Sequence, residues 1–264
     1  MEDCKAVLDW YILAGVEETC ADEPYNALKS SINNFAAKPL PPTATAVENT
    51  APRPAVTELS QINTAACRYA QDICDKAQTL DDLRAMMETF DGCSLRFSAN
   101  STVFGYGNPQ AEVLIIGEAP GADEDRLGEP FVGRSGQLLT KMLSAIGLKR
   151  EDCYIANILP WRPPGNRTPT SDEVAVCLPF LKKQIELVNP KIIFILGRSA
   201  ANALLDNAES ISSLRGRFID YTSPNGTVFP TLSSFHPAYL LRTCSQKGKS
   251  WADLLRLKRK LAEM

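Results

Sequence analysis

The chain predicts an α/β fold: a three-layer α/β/α sandwich around a central, mainly parallel four-stranded sheet. Three observations predict it. Four short apolar runs, AEVLIIG, CYIANIL, KIIFILG and TVFPTLSSF, have the length and residue types of buried strands. Helical spacing fills the intervals, from Leu138 to Leu148, Ser171 to Leu187 and Ser199 to Leu205; such alternation implies parallel pairing with helices on both faces. Each run also opens into an unusual polar stretch: GEAPGADED, NILPWRPPGNR, GRSAAN and HPAYLLR. Ligands of open parallel sheets sit beyond the carboxyl ends of the strands, so all four stretches should converge on one rim.

Taken in order, residues 4–16 (CKAVLDWYILAGV) predict a helix, with Val7, Leu8, Tyr11, Ile12 and Gly15 able to share one face. From Lys38 to Pro54 the chain turns to Pro, Ala and Thr, a composition that extends and builds no core. The expected organisation is an N-terminal helical extension over 1–37, a Pro/Ala/Thr-rich linker over 38–56 and the α/β domain over 57–264. The first helix is then free to dock on its own domain or on a protein partner. Two helices are predicted between Thr57 and Phe90, the second capped by Thr79 ahead of two acids. The stretch Gly117–Leu139, GEAPGADEDRLGEPFVGRSGQLL, joins the first strand to the next helix. It holds five glycines and five acids around one aromatic, Phe131, which an ordinary solvated loop seldom carries. The chain closes on a basic helical stretch, LLRLKRKLAEM.

The net charge of −3 hides a gradient: residues 1–100 carry −7, 101–190 carry −2 and 191–264 carry +6. A basic last third suits a phosphate backbone. The closing helix explains part of that excess but not Arg198, Arg215, Arg217 and Arg242. No apolar run has the length of a membrane span, and no basic start leads into an apolar signal segment. Eight cysteines without paired spacing fit a reduced, cytoplasmic protein.

Chemistry gathers at the strand ends. His236, the one histidine, follows the fourth strand, where an imidazole could donate to an oxygen gaining negative charge. Asn157 ends the second strand between apolar neighbours, and its amide offers the donor and acceptor edges that match a pyrimidine. Phe131 can stack on a flat ring. Glu118 and Glu124 supply carboxylates for water or for a developing cation. Other familiar chemistries are excluded: there is no complete Gly-x-x-x-x-Gly-Lys-Ser/Thr phosphate loop, no full dinucleotide fingerprint at GYGNPQ, and neither GRSGQ nor GRSAA is a nucleophile elbow. One histidine without a CxxC makes no zinc site.

Six motifs in order, VFGYGNP, GEAPGADED, EPFVGRSGQLL, YIANILPWRPPGNRTPT, LRGR (Leu214 to Arg217) and HPAYLLR, resemble those of the family 4 uracil-DNA glycosylases over about residues 80 to 264. The resemblance implies a monomeric, monofunctional hydrolase that removes uracil from DNA and starts base-excision repair. It implies that uracil stacks on Phe131 and is read by Asn157, that Glu118, His236 and Glu124 are catalytic, and that Ala238, Tyr239, Leu240, Leu241 and Arg242 form the loop entering the DNA. A non-turnover uracil-DNA binder of the same superfamily is the alternative, but the Lys/Arg-rich insertion of a covalently trapping relative is missing after Arg162. A hydrolase of small nucleosides or nucleotides would need neither the basic end nor the HPAYLLR wedge.

The resemblance also implies a 4Fe-4S cluster held by four cysteines, and here the chain departs. Phe90 and Trp161 occupy two of the four positions, while Cys93 and Cys177 occupy the others. Cluster iron ordinarily wants four thiolates. The expectation is that the cluster is lost and its volume filled by apolar packing, with no cofactor needed for the chemistry.

Overall fold

A computed structural model describes residues 56–264; the expected helix over 4–16 and the linker over 38–54 lie outside the described residues. The described chain opens with α1 (Val56–Lys76), α2 (Leu80–Thr89) and the single turn α3 (Leu95–Ser98). Thr79 caps α2 as predicted. Its hydroxyl accepts the Asp82 N–H at 3.1 Å, and the Asp82 carboxylate accepts the Thr79 N–H at 3.0 Å. There follow β1 (Tyr106–Gly107), β2 (Val113–Gly117), α4 (Ala122–Leu127), α5 (Arg134–Ala145), β3 (Tyr154–Asn157), α6 (Ser171–Val188) and β4 (Ile192–Leu196). The chain ends with α7 (Arg198–Leu205), α8 (Ile211–Leu214), β5 (Phe218–Thr222), β6 (Val228–Ser234), α9 (Pro237–Arg242) and α10 (Lys247–Ala262). Helix α5 begins four residues ahead of the expected Leu138, because its first turn, RSGQ, carries no apolar signal. It stops at Ala145, before Gly147 turns the chain at φ 87°.

The four predicted strands all form, and they pair parallel in the order β3-β2-β4-β6. The predicted count of four is corrected to six: β1 and β5 add antiparallel edges. Both evade sequence reading for a physical reason. β1 is two residues long, and β5 (FIDYT) is half exposed with an acid at its centre, so neither shows a buried run.

Successive residues of the central strands face opposite ways, and this divides the interior into two cores. Leu114, Ile116, Tyr154, Ala156, Ile193 and Ile195 pack under α1, α2, α6 and α7. Val113, Ile115, Ile155, Ile192, Phe194 and Leu196 pack on the other side under α5, α9 and α10. Both faces are covered, so the strands read as unbroken apolar runs. No described helix is long and apolar enough to cross a membrane.

Candidate active site

The strand order reverses at β2: the chain moves from β2 to β3 on one side, then crosses to β4 on the other. Such a reversal leaves a crevice beyond the carboxyl ends of the strands. A cavity of about 410 Å³ lies there, lined by Glu118 and Glu124 after β2, Phe131 before α5, Asn157 at the end of β3 and His236 after β6. Five site residues predicted from three separate stretches thus share one cavity. The fourth stretch, GRSAAN, lines no part of it; Gly197 instead backs onto His236, where an added Cβ would lie 3.1 Å from the histidine Cβ. Ser135, Pro163, Asn166 and Arg167 also line the cavity. None of these four carries a signal of its own: a serine inside a glycine-rich stretch, or a Pro, Asn or Arg inside a polar loop, is ordinary surface composition.

Asn157 pairs with Gly117 across the parallel β2–β3 ladder. A Cβ on Gly117 would lie 2.4 Å from Asn157 Oδ1 and 2.6 Å from the Phe131 ring, so only glycine allows the amide and the ring to converge. Asn157 is buried, and its amide makes no hydrogen bond among the described residues, which leaves its edge free for a ligand. Phe131 is buried at φ 55°, in the left-handed region that residues with a Cβ seldom adopt. Its ring lies 5.5 Å from that of His236 with 29° between the planes.

His236 is the N-cap of α9. Its Nδ1 accepts the Ala238 N–H at 3.1 Å. An accepting Nδ1 leaves the ring proton on Nε2. Burial, with a smaller push from the Arg242 charge, lowers its pKa from 6.5 to about 4. The site therefore holds a neutral imidazole that donates through Nε2.

Glu118 is half-buried on the rim, and its carboxylate has no hydrogen-bonding or ionic partner among the described residues. Glu124 differs. It is buried, and it accepts the backbone N–H groups of Gly121 at 3.1 Å, Val132 at 3.0 Å and Gly133 at 2.9 Å. Arg150, just before β3, donates to the Phe131 carbonyl at 2.9 Å and to the Pro130 carbonyl from the opposite side of the same loop.

The HPAYLLR segment forms a short helix, and one of its predicted DNA contacts needs correction. Leu240 is only 1% exposed and packs in the core with α5 and α10 rather than on the surface that would meet DNA. Tyr239 and Leu241 are each 36% exposed, and Ala238, Tyr239 and Arg242 line the cavity. The basic residues also sort themselves. Arg215 is largely buried and binds the buried Asp253 at 2.6 Å; Arg217 pairs with Glu209 at 3.1 Å. Arg167 is held by the Glu173 carboxylate at 2.9 and 2.5 Å. The Arg215 charge is thus matched inside the protein by Asp253.

The residues at the expected cluster position do not fit a four-iron group. Of the four expected positions, two carry thiols, Cys93 and Cys177, whose sulfurs lie 3.8 Å apart. The rings of Phe90 and Trp161, 0% and 1% exposed, stack 6.3 Å apart beside them, and Phe180 meets Phe90 edge-on. Trp161 Nε1 donates to Thr102 Oγ1 at 3.0 Å, which satisfies its buried N–H. The hydrogen bond to Cys93, together with burial, pushes the Cys177 thiol well above its ordinary value.

Residues 104–255 match the model of the uracil DNA glycosylase superfamily. The chain is 45% identical over 156 residues to a type-4 uracil-DNA glycosylase of Thermotoga maritima, covering 59% of this chain and 79% of that protein. It is 41% identical over 168 residues to a namesake from Archaeoglobus fulgidus, covering 62% and 84%. A third, from Pyrobaculum aerophilum, is 38% identical over 179 residues, covering 66% and 91%. The matched span contains every residue that lines the cavity, and the chain belongs to the uracil-DNA glycosylase superfamily.

Proposed function

We propose that this chain flips uracil out of DNA and hydrolyses its N-glycosidic bond, leaving an abasic site. The observation that carries the reading is the joint placement of Phe131, the free Asn157 amide and a neutral His236 around one cavity of base size. The base leaves the duplex and enters the cavity. Its ring stacks on Phe131, and Asn157 reads its polar edge. The bond between the sugar C1′ and uracil N1 then breaks heterolytically. The electron pair leaves with the base, spreading onto its carbonyl oxygen, while the sugar becomes oxocarbenium-like. His236 donates its Nε2–H to that oxygen; being neutral, it stabilises the anion without giving up its proton. Glu118 offsets the sugar cation and orients the water that adds to C1′, whose surplus proton passes to solvent. Ala238, Tyr239, Leu241 and Arg242 enter the DNA, an apolar wedge with a cation at its edge.

The working form we propose is an intracellular monomer acting on uracil-containing DNA. Its active domain spans 57–264, and residues 1–37, joined through the linker over 38–56, are an extension not needed for the chemistry. Removing residues 1–55 should leave uracil release and melting temperature unchanged; loss of either would show that the extension completes the domain. We further propose that Phe90 and Trp161 replace the cluster ligands with apolar packing. Near-stoichiometric four-iron content in anaerobically purified protein would overturn this. The function itself is tested by release of free base from uracil-DNA compared with free deoxyuridine. Release from DNA alone supports the reading, tight binding without release favours a non-turnover binder, and equal attack on both makes it a nucleoside hydrolase.

A further inference from the structure

The backbone from Pro130 to Gly133 is gripped by two side chains of opposite charge. Glu124 takes the donors, the N–H groups of Val132 and Gly133. Arg150 takes the acceptors, the carbonyls of Pro130 and Phe131. Each grip is itself anchored: Glu124 Oε2 accepts from Gly121 N–H at the start of α4, and the Arg150 guanidinium lies 4.8 Å over the Tyr106 ring. The third wall is α5, so close that a Cβ on Gly136 would fall 1.7 Å from the Phe131 carbonyl oxygen. At the centre sits Phe131 at φ 55°, a conformation that disfavours any residue with a Cβ. Strain of this kind persists only where the surroundings over-determine it. Rotation about the Phe131 backbone would break bonds to both charged groups at once.

We propose that Glu124 and Arg150 are positioning residues that act as a two-sided clamp, holding Phe131 in its left-handed conformation so that its ring is a preformed platform for the base. The proposal rests on the reading that the cavity takes uracil. It removes Glu124 from the chemistry, since both of its oxygens are occupied by backbone donors, and it gives Arg150 a role that its place outside the cavity does not advertise. A preformed platform spares the complex the cost of ordering the loop when the base arrives.

The test compares the affinity of the protein for two duplexes: one with 2′-fluoro-deoxyuridine, which carries the base but resists cleavage, and one with an abasic site. Their ratio reads what the base pocket adds. In Glu124→Gln and Arg150→Lys, that ratio should fall on the order of tenfold, the cost scale of a left-handed residue, while abasic-DNA affinity stays within twofold or so of the parent. Arg150→Lys keeps the charge and can reach only one carbonyl, so it should retain more of the ratio than Arg150→Ala. In a Phe131→Ala background neither clamp substitution should lower the ratio further, because the platform is already gone. A variant whose uracil release slows while the ratio is unchanged would overturn the proposal and return Glu124 to the chemistry. An additional loss in the Phe131→Ala background would also overturn it, showing a general folding role. Failure of the underlying reading looks different: the parent protein itself would show no preference for the 2′-fluoro-deoxyuridine duplex.

Discussion

Because His236 is the single histidine of the chain, its protonation can be followed without assignment ambiguity. The expected behaviour is a titration near pH 4 in the folded protein, with Nε2 protonated and Nδ1 bare above that pH. The shift from 6.5 to about 4 corresponds to as much as about 3 kcal/mol at 1.36 kcal/mol per unit. The sign follows from a depressed pKa. The unfolded chain takes up the proton near 6.5, and the folded chain resists until about 4. This stability is therefore complete above pH 6.5, declines as pH falls from 6.5 to 4, and is absent below. Activity should follow the folded value, with single-turnover uracil release level from pH 8 to about 5 and falling through an acid limb near 4. Arg242→Gln should move that limb upward, since it removes a cation that disfavours imidazolium. The limb should stay below 6.5, because burial is the larger cause. His236→Ala should abolish the limb and cost ~10²–10³ in rate while sparing affinity for uracil-DNA. The measurements are NMR titration of the ring signals and a pH–rate profile on single-stranded uracil-DNA. A ring titrating near 6.5, or a rate that rises as the imidazole becomes charged, would refute the neutral-donor mechanism.

Other outcomes follow from the same geometry. Asn157→Asp replaces a donor edge by an acceptor and should slow uracil release by a factor corresponding to ~1–3 kcal/mol; unchanged release would end its role in reading the base. Gly117→Ala places a methyl 2.6 Å from the Phe131 ring and should cut uracil release sharply with little change in abasic-DNA affinity, as measured by single turnover and by titration with abasic DNA. Leu240→Ala should destabilise the fold by ~2–5 kcal/mol in urea, whereas Leu241→Ala should leave the urea midpoint in place and weaken duplex binding. Trp161→Ala should cost ~3–5 kcal/mol; a midpoint close to the parent's would mean that the ring fills no essential volume.

The four central strands and the cap of α2 were legible because their signals are local. A buried strand shows its apolar run in four to seven residues, and Thr79 and Asp82 lie three apart. The ends of those strands then located Glu118, Asn157 and His236, since a parallel sheet delivers its strand ends to one rim. The edge strands escaped because half-exposed pairing leaves no apolar run. Tertiary structure alone decided what the charged residues do. The motif of Glu124 does not show that its oxygens accept N–H groups up to nine residues away. Arg150 has no local signal, being 19 residues from the carbonyl it holds. Arg215 shows in the sequence only as part of a basic excess, because its partner, Asp253, lies 38 residues downstream. Leu240 and Leu241 are neighbours of the same chemistry, and only the packing of α9 on α5 sends one into the core and leaves the other facing outward. Hydrophobic periodicity is written along the chain because burial acts on every residue of an element. A charged side chain takes its meaning from a single partner, and the fold chooses that partner.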